Sequence, residues 1–114
     1  MEYMLILSED PELMATEDDR KRAVQEVGEY AMSLVGDGML KGGAPLRPVD
    51  EAKKGRTREG RQRVLDGPFA ESKEVIAGYF IIDAPDIDAA IAIAAKCPNA
   101  RFGSVEVREI VPMG

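Results

Sequence analysis

The sequence predicts an α+β fold: two β-α-β units interleaved as a ferredoxin-like split βαβ sandwich, with an extra hairpin between them. Three observations carry this. Apolar runs of strand length stand at the start of the chain and near residues 75–83, and a shorter alternating run closes it. Segments of helical periodicity follow the first two of these runs. Between the halves lie Gly-, Pro- and charge-rich stretches that read as an edge strand and a hairpin. At 114 residues the chain is one domain, 1–114.

The elements follow in order. "EYMLILS" (Glu2–Ser8) is a strand, with Tyr3, Leu5 and Leu7 on one face and Met4 and Ile6 on the other. Both faces are apolar, so both need cover. Thr16 with Asp19 three residues on is a capping-box pattern, and Glu17, Asp18 and Asp19 place negative charge where the helix dipole favours it. Val24, Val27, Ala31, Leu34 and Val35 form the expected inner stripe of that helix, which should end at Gly36–Gly38. "MLKGGAPLRPV" (Met39–Val49) reads as a short strand that Pro45 and Pro48 confine to an edge, and "DEAKKG" as a polar loop. "RTREGRQRVL" reads as a hairpin turning at Glu59-Gly60.

"VIAGYFIID" (Val75–Asp83), rich in β-branched and aromatic residues, is the strongest strand. Asp86 or Asp83 caps the next helix, with Ile87, Ala90, Ile91 and Ala94 expected inward and Pro98 ending it. "GSVEVREI" (Gly103–Ile110) alternates Val105 and Val107 against Glu106 and Arg108, so one face is wet. Two helices cover one face of such a sheet. The apolar second face predicts a homodimer, sheet on sheet.

Composition narrows the function. The single Cys97 excludes an intrachain disulfide and points to a reducing compartment. The N-terminal run lacks a basic flank and a cleavage site, and no stretch approaches the ~20 apolar residues of a span. The expected location is the cytoplasm, without a membrane partner. The chain has no histidine, which removes the usual neutral-pH base and the commonest metal ligand, so no metal and no cofactor are expected. A net charge of −6 makes nucleic acid an unlikely partner. The segment Lys53–Arg63 holds six basic residues and one acid, but no aromatic interleaves them to stack on bases, so it reads as a solvated hairpin.

The blocks "DGPFAESKE", "AGYFIID", "DAAIAIAAKCP" and "SVEVR", in that order, resemble the DGPF branch of the YCII-related family. The likeness runs from "YMLILSED" through "GDGMLKGGAPLRP" to the end. It implies a ferredoxin-like fold and a dimeric α/β barrel. YCII-like relatives carry a histidine–aspartate pair in a cleft and include a dehydrochlorinase of chlorinated aromatic breakdown. With no histidine here, that pair has no full counterpart. Some relatives are fused to sigma-factor-like proteins, which implies a transcription-linked role.

Candidate site residues cluster at the turn before the central strand. Asp66 can accept N–H bonds in its own turn, and as a carboxylate at a strand end it is the candidate catalytic group. Phe69 is a candidate pocket wall, and Glu71 a second carboxylate whose crowding would raise a pKa. Gly42 and Gly43 free backbone N–H groups that can receive an anion. Tyr79 offers a hydroxyl from mid-strand. Two function classes follow. One is a small dimeric domain binding an aromatic or carboxylated molecule near the DGPF turn, with lyase- or isomerase-type proton transfer. The other is a non-catalytic dimerising accessory or regulatory module.

Overall fold

The structure is a computed structural model, and it describes residues 1–67 and 73–113. Its main sheet has four antiparallel strands in the order β2-β5-β1-β6: β1 (Glu2–Glu9), β2 (Leu40–Pro45), β5 (Val75–Asp83) and β6 (Gly103–Glu109). Helix α1 (Glu17–Gly36) joins β1 to β2, and α2 (Ile87–Ala95) with the one-turn α3 (Asn99–Phe102) joins β5 to β6. β1 and β2 both run antiparallel to β5 and flank it. β5 and β6 likewise flank β1. This is the split βαβ arrangement. A separate two-stranded ribbon, β3 (Lys53–Arg58) and β4 (Arg61–Asp66), stands between β2 and β5 in the chain.

The alternation of β1 holds. Tyr3, Leu5 and Leu7 are buried with Phe80 and Ile82 beneath the helices, while Met4 and Ile6 lie half-buried on the other face opposite Ile81 and Tyr79. Val105 and Val107 pair with Leu7 and Leu5 and complete the covered face. Thr16 caps α1 as its spacing predicts: its hydroxyl accepts from Asp19 N–H at 3.0 Å, and the Asp19 carboxylate accepts from Thr16 N–H at 3.4 Å. At the far end Gly38 N–H donates to Val35 C=O and Met39 N–H to Leu34 C=O, a Schellman closure at the expected glycines. Asp86 caps α2 by accepting from Ala89 N–H at 2.8 Å. The hairpin turns at Glu59 (φ 54°) and Gly60 (φ 75°), the left-handed pair of a type I′ turn.

Several local readings need correction. The inner line of α1 is Ala23, Val27, Tyr30, Ala31 and Leu34; Val24 and Val35 are exposed. Tyr30 displaces the expected valines because it joins both layers. Its hydroxyl donates to Ile93 C=O at 2.7 Å, and its ring meets Phe80 edge-on at 5.8 Å. In α2 the buried residues are Ala90 and Ala94, whereas Ile87 and Ile91 face solvent. Small side chains let this helix sit close to the sheet. The expected loop at Lys53 already belongs to β3, and the edge strand ends at Pro45, before a 3-10 turn at Val49–Glu51. Pro98 opens α3 rather than simply closing α2.

Cα extents of 47 × 44 × 19 Å describe a slab one sheet and one helix layer thick. The radius of gyration, 15.8 Å, exceeds the ~13 Å of a compact chain of this length, in keeping with the projecting ribbon.

Candidate functional site

A cavity of about 470 Å³ lies between α1 and the helix-facing side of the sheet. Leu7 and Phe80 supply its floor, and Ala23, Val27 and Ala31 of α1 its roof. Met14, from the 3-10 turn after β1, and Phe102 of α3 stand at its end. Three glycines from three elements also border it: Gly28 of α1, Gly43 of β2 and Gly78 of β5. Gly43 sits at φ 152°, where an added Cβ would lie 2.6 Å from Tyr79 C=O, so β2 can follow β5 this closely only with glycine. The pairing of β2 with β5 shifts register between Leu40 and Gly42.

Two polar groups reach this apolar space. Asn99 is buried, its amide donating to Ser8 C=O at 3.2 Å and accepting a long contact from Cys97 Sγ at 3.8 Å. Glu9, the last residue of β1, is the one titratable carboxyl among the described lining residues, none of which is a lysine or arginine. Burial raises its pKa above the ordinary carboxylate value, because an ionised form would lose solvation there. A group so placed holds a proton at higher pH than a surface glutamate and can give or take one at a bound ligand. Beside it Asp10, itself buried, caps the 3-10 turn through Glu12 N–H at 3.0 Å. Lys73 pairs with Asp10 at 3.3 Å and Glu12 at 3.1 Å. Those carboxylates, Glu12 first, hold the Lys73 pKa above its usual value. Cys97 is buried and its thiol pKa is raised, so it offers no thiolate.

The expected site residues are only partly brought together. Gly43 and Tyr79 border the cavity; Tyr79 pairs with Ile6, so its side chain projects from the sheet's other face. Gly42 lies against Ile81 outside it. Asp66 sits at the base of the ribbon, exposed and paired with Lys53 at 2.5 Å, and lines neither the main cavity nor the shallower hollow at Leu46–Ala52. Its backbone neighbour Gly67 donates to Ala52 C=O at 2.7 Å, tying off the hairpin. Phe69 and Glu71 lie outside the described residues. Glu9 was missed by sequence reasoning, although a signal existed. Carrying the alternation of Tyr3, Leu5 and Leu7 two residues further puts a carboxyl on the covered face. Among the described residues no group of three or more Cys, Asp or Glu is placed to hold a metal ion. No helix among them is long and apolar enough to cross a membrane.

The fold and cavity define a ferredoxin-like α+β domain with an apolar site between helix and sheet. The chain belongs to the YCII-related domain family, which it matches over residues 1–114. It is 33% identical over 97 residues to the uncharacterized protein R00369 of Rhizobium meliloti (strain 1021), covering 83% of this chain and 78% of that one. Among solved structures it is similar to 5-chloro-2-hydroxyhydroquinone dehydrochlorinase (TftG) from Burkholderia phenoliruptrix AC1100, in complex with 2,5-dihydroxybenzoquinone. That match has a TM-score of 0.56 at 14% identity, over 97% of this chain and 94% of the other, and it establishes a shared fold.

Proposed function

We propose that the chain binds a small, uncharged, ring-bearing molecule in the cavity beneath α1, with Glu9 as the group that exchanges a proton with it. The observation that carries this is the pairing of an apolar space of ligand size with a single carboxyl whose pKa burial raises. The sequence alone left aromatic and carboxylated ligands open. The described lining holds no cation to pair a ligand carboxylate, and Glu9 would oppose one, so the uncharged aromatic is the better fit. The similarly folded dehydrochlorinase holds a small six-membered ring compound, 2,5-dihydroxybenzoquinone. Proton transfer by a carboxyl is also compatible with lyase-type chemistry. Thermal shift against uncharged phenols and quinones tests the reading. A ligand at 100 Kd should stabilise the protein by ~2.7 kcal/mol, and Glu9→Gln should keep that binding while losing any turnover. Stabilisation by no such compound, or equal turnover in the variant, would count against it.

The same proposal has two copies meeting through the open face of the sheet, supported by the half-buried Met4, Ile6, Tyr79 and Ile81 there. Sedimentation at tens of micromolar should give twice the 12.4 kDa chain mass, and Ile6→Lys should halve it. A dimer that binds none of the compounds would favour the accessory-module reading instead.

A further inference from the structure

We infer that the β3–β4 ribbon is an arm that docks on the phosphate backbone of a nucleic acid without reading its sequence. Register carries the inference. β3 and β4 pair Lys54 with Leu65, Arg56 with Arg63, and Arg58 with Arg61. Because side chains alternate, these six share one face, so five cations stand on one side of a two-stranded ribbon. The other face is Gly55 with Val64, Thr57 with Gln62, and the Lys53–Asp66 ion pair at the base. Every residue of the ribbon but Leu65 is exposed. Among the described residues no carboxylate pairs with Arg56, Arg58, Arg61 or Arg63.

Like charges placed directly opposite each other weaken a ribbon, and an isolated two-stranded ribbon is marginal to begin with. Polyanion docking would relieve the repulsion. The cations repeat about every 7 Å along each strand, in rows about 5 Å apart, over a length of about 13 Å. That is a linear array for a linear polyanion, and arginine suits phosphate because its fork bonds two oxygens at once. Protein-binding surfaces are enriched in arginine as well as in aromatics and Met, but they are depleted of charge at their centre; this face is charged at its centre and has no aromatic and no Met. The absence of aromatics also argues against base stacking, so contact stays with the backbone.

The net charge conceals this arm. Residues 53–66 hold six of the chain's fifteen basic side chains and two of its twenty-one acids, so the arm carries +4 and the remaining hundred residues carry −10. The arm extends beyond the ~8 Å Debye length at physiological salt, so its outer part is screened from the acidic body.

Fluorescence anisotropy with labelled 20-base-pair duplexes, two unrelated DNA sequences and one RNA, tests the inference between 25 and 200 mM KCl. Binding at 25 mM should be equal for the two DNA sequences within about twofold. Log Kobs against log[KCl] should fall with a slope no steeper than about −4.5, the limit for five phosphate contacts. Arg56→Gln with Arg63→Gln should weaken binding at least tenfold and flatten the slope by about 1.8. Lys21→Gln with Arg22→Gln, an equal loss of charge on α1, should change affinity less than twofold. Circular dichroism should show both variants folded, since Arg56, Arg63, Lys21 and Arg22 are all exposed. The inference is overturned by no duplex binding at 25 mM, or by equal losses in the two variants. It is also overturned if the arm variant dissociates copies of the chain without affecting duplexes, which would make the arm a self-association surface. Preference between the DNA and RNA duplexes would identify which backbone the arm fits.

Discussion

Ala31→Leu is the most direct test of the cavity. Ala31 lies half-buried on the roof of a space of about 470 Å³. Leucine adds three carbons, worth up to ~2.4 kcal/mol at ~0.8 kcal/mol for each buried one. Halving this for partial exposure, and neglecting the small loss of helix propensity, leaves about 1.2 kcal/mol of stabilisation. An unfolding entropy near 2.1 cal/mol/K per residue makes that a rise in Tm of about 5 °C for 114 residues. Calorimetry measures the shift, and the ligand screen should show the same variant blind to compounds that stabilise the parent. If the helix were already packed on the sheet at Ala31, the added carbons would overpack it and cost ~1–3 kcal/mol. A lower Tm would therefore refute both the cavity and the site built on it.

Thr16→Ala should cost ~1 kcal/mol, read as a Tm about 4 °C lower, because Asp19 N–H loses its acceptor. Glu9 contributes a slope to stability against pH. Its folded pKa is raised, so the native state binds more protons than the unfolded one between the ordinary glutamate value and the raised value; stability is highest below that window and falls as pH rises through it. Denaturant titrations should show Glu9→Gln without this fall and more stable than the parent at pH 7. Asp66→Asn breaks an exposed ion pair and should shift the unfolding free energy by less than ~1 kcal/mol. The same variant should leave the Kd for a cavity ligand unchanged, and a tenfold loss would return Asp66 to the site.

What could be read from the sequence was what short-range physics decides. Strand alternation in β1, the Thr16 and Asp86 caps, the glycine closure after α1 and the Glu59-Gly60 turn each depend on a few consecutive residues, and each stands where expected. The helix faces were harder. Ala31, Leu34, Ala90 and Ala94 point inward as expected, but Val24, Val35, Ile87 and Ile91 do not; packing distance decides which residues go inward, and it added Tyr30 and Ala23. The site was harder still. Asp66 drew attention because its neighbours form a recognisable turn, whereas Glu9 matters through groups far off in sequence: Ala31, Gly43, Phe80 and Asn99. The basic ribbon was visible as composition, yet only cross-strand pairing puts its arginines on one side.

Where glycines border the cavity, its size is a one-way quantity. A pocket walled by large side chains can widen as rotamers turn, but at Gly28, Gly43 and Gly78 there is nothing left to move aside or trim. Backbone sets the limit there, and on β5 even one carbon at Gly78 would come within 3.0 Å of Ala44 C=O. Mid-helix, Gly28 has open space where its Cβ would stand, and alanine there would strengthen α1 by roughly 1 kcal/mol. The helix is thus weaker than it need be at the point where it roofs the empty space. Variation at these three positions can narrow the space but not broaden it, so any widening falls to the larger lining side chains, Leu7, Met14, Phe80 and Phe102.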